Sequence, residues 1–144
     1  MKSFRPQRWM ILWGALIIPA AYGQSAPRIQ ANVPFDFHVD GREFPAGQYT
    51  VTAGPGASYL ILQGADVKKA QFLLTMPVYN RTPIVQPRLV FNRYDNDYFL
   101  STIWLGGSAA GKQLTPGHKE TELARRLSSP ARETALSAIQ PAKL

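Results

Sequence analysis

Few residues in this chain have the types and spacing for chemistry. His38 and His118 are its two histidines, a glycine-rich run ends in Lys112, and Asp95 and Asp97 flank Asn96. His38 alternates with apolar residues, and Asp36 and Asp40 lie two positions to either side. In a strand all three would share a face, because successive side chains point to opposite sides. A histidine among carboxylates can work as a general acid or base, which gives the enzyme alternative: a small hydrolase using His38 and its neighbouring carboxylates. Zinc would need three or four ligands in a tetrahedron, and no second histidine is near in sequence. Asp40-Gly41 also reads as a solvated turn pair. The preferred reading therefore has no metal and no catalytic residue here.

Gly106 to Lys112 matches the spacing of a phosphate loop, with two glycines and a following lysine. Gln113 then stands where a Ser or Thr hydroxyl should meet magnesium, and Pro116-Gly117 interrupts the helix that should cradle the phosphates. The run is read as a flexible linker, with no cofactor. Asp95, Asn96 and Asp97 could offer oxygens to calcium, but calcium takes about six to eight and one turn cannot supply them. They read as a polar hairpin tip.

That tip joins two strand-like runs within Arg88 to Trp104. A three-residue loop, Asp95 to Asp97, is expected to pair Tyr94 with Tyr98. One face would then carry Leu89, Phe91, Phe99 and Ile103, and the other Arg88, Asn92, Tyr94, Tyr98 and Trp104. The second set is the candidate ligand-binding face, since aromatic rings beside hydrogen-bonding groups hold sugars or peptides. A two-residue loop at Asn96 and Asp97 would mix the faces, because one step of register turns every side chain over.

Other elements frame this hairpin. Val33, Phe35, Phe37 and Val39 alternate with polar residues, predicting a strand that begins at Pro34 or runs along an edge. Asp40-Gly41 and Pro45-Ala46-Gly47 turn the chain into a strand over 48–53. Further strands are predicted over 59–63 and 70–75. Pro77, Pro83 and Pro87 then argue for a long loop over 76–86, within which Asn80-Arg81-Thr82 has the form of a glycosylation acceptor. Near the end, Glu120 and Glu122 precede Arg125 and Arg126 as a helix dipole prefers, and Leu123 and Leu127 form a thin apolar stripe. The fold class expected is all-β with a C-terminal helix: a small antiparallel β-sandwich or barrel of about six strands over residues 28–115, followed by a helical, partly disordered tail over 116–144.

The N-terminal stretch reads as an address. Lys2, Arg5 and Arg8 precede an apolar run, Trp9 to Ala21, and small residues at Ala21 and Gly23 suit cleavage after Gly23. Residues 1–23 are thus expected to be a signal peptide. The product would be periplasmic or extracellular, touching membrane only through the leader before cleavage. Removing the three leader cations lowers the formal charge from +7 to +4. The remaining cations are scattered rather than gathered on one face, so no nucleic-acid partner is expected. The chain has no cysteine, which excludes disulfides, thiolate metal sites and cysteine nucleophiles, and leaves stability to the core.

Asn32-Val33-Pro34-Phe35-Asp36-Phe37, Pro45-Ala46-Gly47-Gln48-Tyr49-Thr50-Val51, Leu89-Val90-Phe91-Asn92-Arg93-Tyr94 and Tyr98-Phe99-Leu100-Ser101 together resemble a family of small exported bacterial proteins of unknown function. The resemblance implies export, a β core and a charged C-terminal helix, and carries over no catalytic residue. The function expected is that of a non-enzymatic, envelope-associated binding or structural module, with a cell-envelope glycan, a peptide or another exported protein as partner.

Overall fold

In a computed structural model, residues 26–55, 59–66, 70–128 and 130–138 are described. The expected leader, residues 1–23, lies outside them, as do residues 139–144. Among the described residues the chain forms ten strands and one helix, in a mixed sheet that does not close on itself.

Period-two patterning builds the first half. β1 (Arg28–Val33) buries Ile29, Ala31 and Val33, and pairs antiparallel with β4 (Gly47–Ala53), which buries Tyr49, Val51 and Ala53. The strand expected across Val33 to Val39 breaks at Pro34, which has no amide to continue a ladder. Beyond the break, β2 (Phe37–Val39) turns through Asp40 and Gly41 into β3 (Arg42–Phe44). β5 (Tyr59–Gly64) lies beside β4 and buries Leu60 and Leu62. The rings of Phe37, Phe44, Tyr49 and Phe91 meet edge-on or stacked, with centroids 5.0 to 6.1 Å apart. This is the aromatic centre of a single apolar core that also takes in Leu60, Leu62, Leu73 and Ile103.

Two expectations are corrected together. Residues 76–86 do not form a loop, and 106–111 do not form a linker: β6 (Ala70–Ile84) runs through Pro77 and Pro83, and pairs with β9 (Ser108–Leu114). β6 pairs with β5 over residues 70–74, on one side, and with β9 from Thr75 onward, on the other. Each half therefore has one paired edge, and a proline amide can face the unpaired one. Gly106 and Gly107, at φ of 85° and 70°, make the reversal before β9, a backbone region that costs other residues strain. Lys112, the lysine of the phosphate-loop pattern, lies within β9 opposite Ile103 and Pro77 and opens no helix.

β7 (Arg88–Tyr94) and β8 (Asp97–Trp104) form the expected hairpin, but in another register. The loop is Asp95 and Asn96; Tyr94 faces Asp97, and Arg93 faces Tyr98. Asp95 takes a φ of 56°, which aspartate tolerates better than most residues. A bulge follows, since Val90 pairs with Thr102 and Phe91 with Leu100, leaving Ser101 as the extra residue. It lets both Leu100 and Ile103 reach the core. β8 also pairs with β2 in parallel, so the sheet is mixed rather than wholly antiparallel.

Within the segment expected to be a helical tail, the described residues hold a strand as well as a helix. α1 (His118–Leu127) is followed by β10 (Arg132–Ser137), which pairs antiparallel with β7. β10 alternates Thr134 and Leu136, half-buried, with exposed neighbours.

Candidate functional site

The five residues expected on one hairpin face do not share it. The observed register keeps Arg88, Asn92, Tyr94 and Trp104 together, and moves Tyr98 to the core side, where it stacks on Phe35 at 3.7 Å. Phe99 takes its place beside Asn92 and meets Tyr94 edge-on at 5.8 Å. Trp104 is buried across Gly111 of β9; a Cβ on that glycine would lie 2.7 Å from the indole, so only glycine permits this approach. Arg88 is half-buried, and its Nε has no hydrogen-bond partner.

α1 covers the centre of this face, held by a charged residue. Leu123 is half-buried and Leu127 exposed, while Glu120 is 5% exposed. Asn92 Nδ2 donates to Glu120 Oε1 at 2.9 Å, and the Tyr94 hydroxyl donates to the same carboxylate. Burial pushes the Glu120 carboxyl above its ordinary range, and the hydrogen bonds from Asn92 and Tyr94 pull partly back. Burial also raises the Tyr94 phenol, with the Glu120 charge and hydrogen bond adding to it. The helix N-terminus has no side-chain cap, and Glu120 is the buried residue through which α1 meets β7.

His38 lies beside it. Its partners are not Asp36 and Asp40: Asp36 Oδ1 accepts from the Ala46 amide at 2.8 Å, and Asp40 shapes the turn at a φ of 49°. Instead His38 Nε2 lies 3.3 Å from Asp97 Oδ1 and 3.1 Å from Lys119 Nζ, and the ring stacks on Phe99 at 5.0 Å. Lys119 also donates to Asp97 Oδ1 at 3.4 Å. One nitrogen thus faces an acceptor and a donor, so it accepts from Lys119 when it is bare and donates to Asp97 when it carries a proton. The cavity at this cluster measures ≈ 30 Å³, room for about one water molecule. Among the described residues, no group of three or more His, Asp and Glu side chains could hold a metal ion.

Compared with family models, curated proteins and solved structures, the chain matches none.

A third surface was missed in the sequence. Phe72, Leu74 and Met76 alternate with Leu73 and Thr75 along β6, and are 61%, 83% and 55% exposed, whereas Leu73 is buried. Ile61 pairs with Phe72 and Tyr59 with Leu74, so half-buried side chains of β5 continue the same apolar face. Tyr59 and Phe72 approach with centroids 5.9 Å apart. Phe72 and Leu74 fall within the strand expected over 70–75, but the prolines that follow place Met76 in the expected loop, so the continuous row does not stand out in the sequence.

Proposed function

We propose that this protein is an exported, non-enzymatic β domain that acts through the outer face of β5 and β6, binding another exported protein or an extended peptide. The carrying observation is the apolar row Phe72, Leu74 and Met76 beside Tyr59 and Ile61, because monomeric proteins rarely expose contiguous apolar side chains without a partner for them. Beyond Leu74 the β6 edge opposite β9 has no strand beside it among the described residues, and an extended partner could add there while its side chains meet the row. Within this proposal the architecture is a sandwich, with the two halves of β6 belonging to facing layers. The His38 cluster supports the non-enzymatic reading: its cavity is too small for a substrate, and the same nitrogen is engaged by Asp97 and Lys119.

The test is an NMR titration with peptides of alternating apolar pattern and, in parallel, with peptidoglycan fragments. Amide shifts at 59–61 and 72–76 with the peptides, abolished by Leu74→Ser, are expected. Shifts confined to the glycan arm would overturn the choice of partner. Shifts centred on His38 and Asp97 would favour the hydrolase alternative.

A further inference from the structure

At the tip end of the β7–β10 pair lies an open pocket of ≈ 390 Å³, lined by Arg93, Tyr94, Asp95, Leu127, Pro130 and Arg132. It is remote in kind from the apolar row, because its walls are mainly polar and basic. Arg93 and Arg132 are directly opposite each other in the antiparallel register. Their Cβ atoms are thus about 4.5–5.5 Å apart, and like charges at that spacing destabilise a strand pair. Neither guanidinium is neutralised within the described residues. Arg93 spends its Nε on the Asp95 carbonyl at 2.7 Å and lies over the Tyr98 ring at 5.4 Å. The Arg132 side chain has no ion pair or hydrogen bond there. Asp95 is the one acidic side chain in the lining, so two cations face a single carboxylate.

A guanidinium presents paired N–H donors in a plane that matches carboxylate or phosphate oxygens, and two neighbouring forks suit one oxyanion better than either alone. Leu127 and Pro130 form an apolar wall beside them. A cavity of this size falls within the range of small-ligand sites, about 300–1,000 Å³. We propose that the pocket binds an oxyanion, a phosphate ester or a carboxylate, carried on an aromatic or apolar body, with Arg93 and Arg132 gripping the anion and Leu127 and Pro130 meeting the body. The ligand relieves a repulsion that the strand register imposes.

The experiment is a titration of the full chain with phenyl phosphate and with benzoate, each against sodium chloride at matched ionic strength, following arginine Nε–Hε and backbone amide resonances. Saturable shifts at Arg93 and Arg132 are expected, weakened at least tenfold by Arg132→Gln and only partly by Arg132→Lys, which keeps the charge and loses the fork. Arg125→Gln should leave them unchanged. The tighter of the two probes assigns the source, phosphate ester or carboxylate. Shifts reproduced by sodium chloride, or spread equally over Arg125 and Arg126, overturn the site. Leu74→Ser must not alter the binding, which separates this pocket from the apolar row.

Discussion

Asn92 on β7 and Glu120 on α1, 28 residues apart in sequence, are joined by a 2.9 Å hydrogen bond at the centre of the helix–sheet contact. A buried carboxylate is an unusual anchor for an amphipathic helix, because removing its charge from water costs free energy that apolar burial would not. The Asn92 and Tyr94 donors offset part of that cost, which makes the helix dock in one position.

Stability should therefore depend on pH through Glu120. Its folded carboxyl is raised above the ordinary 4.5, so between 4.5 and the folded value the folded state binds more protons than the unfolded one. Stability then falls as pH rises through that window, and is greatest below it. Urea midpoints from about pH 4 to pH 8 should show this fall in the wild type and lose it in Glu120→Gln. Glu120→Ala instead leaves the Asn92 and Tyr94 donors unpaired, at about 1–3 kcal/mol for each that stays dry. A flat profile in the wild type would show that Glu120 is solvated.

Gly111→Ala should be costly although alanine suits a strand better than glycine. The added methyl would lie 2.7 Å from the Trp104 ring, which is itself buried. Overpacking of this kind costs about 1–3 kcal/mol. Trp9 and Trp13 are the other two tryptophans, so Trp9→Phe and Trp13→Phe leave Trp104 as the sole emitter. Red-shifted emission together with a lower urea midpoint is the expected result, and an unchanged spectrum would place Trp104 away from β9.

Asp97→Asn should matter little. Its contacts to His38 and Lys119 are at the surface, with the aspartate side chain 39% and the lysine 52% exposed. Exposed pairs of this type are worth about 0.2–1 kcal/mol, and less in high salt. A loss beyond that range by chemical denaturation would mean that the cluster closes the helix over the hairpin more tightly than its exposure implies.

Phe72→Ser and Met76→Thr should behave as surface changes. Both side chains are more than half exposed, so each alters folding stability by about 0.5 kcal/mol or less. Binding of a hydrophobic dye such as anilinonaphthalene sulfonate should drop in the same variants. A large loss of stability would show these side chains to be buried against something.

The parts legible in the sequence were those set by local pattern. Alternation located β4 and β5 within a residue or two, Asp40-Gly41 marked its turn, and the charge order of Glu120 to Arg126 marked α1, whereas β1 lies ahead of the strand expected from Val33 to Val39. Register was not legible at the hairpin, because a two-residue loop with a positive φ at Asp95 decides which face Tyr98 takes, and the extra Ser101 decides which faces Ile103 and Trp104 take. Glu120 reads in the sequence only as an acidic residue suited to a helix start, for a related reason: its burial depends on Asn92 and Tyr94, which only the folded sheet places beneath it. β10 was hidden by its weak composition, since Arg132 to Ser137 becomes a strand by pairing with β7 rather than by propensity.

The β6–β9 pair makes the sharpest test of that distinction. A proline-punctuated segment and a glycine-rich segment each read as irregular, yet Thr75 to Tyr79 faces Ala110 to Leu114 in unbroken register. Proline is excluded from a strand only where a neighbour needs its amide, and among the described residues the half of β6 beyond Leu74 has β9 as its one strand partner. Alternate amides across 110–114 should therefore exchange with solvent slowly, as ladder donors do, while those of a linker would exchange at the rate of an open chain. Gly107→Ala, at a φ of 70°, should accelerate exchange in this pair first, because alanine strains the reversal that delivers β9 to β6. Uniformly fast exchange over 106–114 in the wild type would return the segment to a linker and remove the support that holds Trp104 in place.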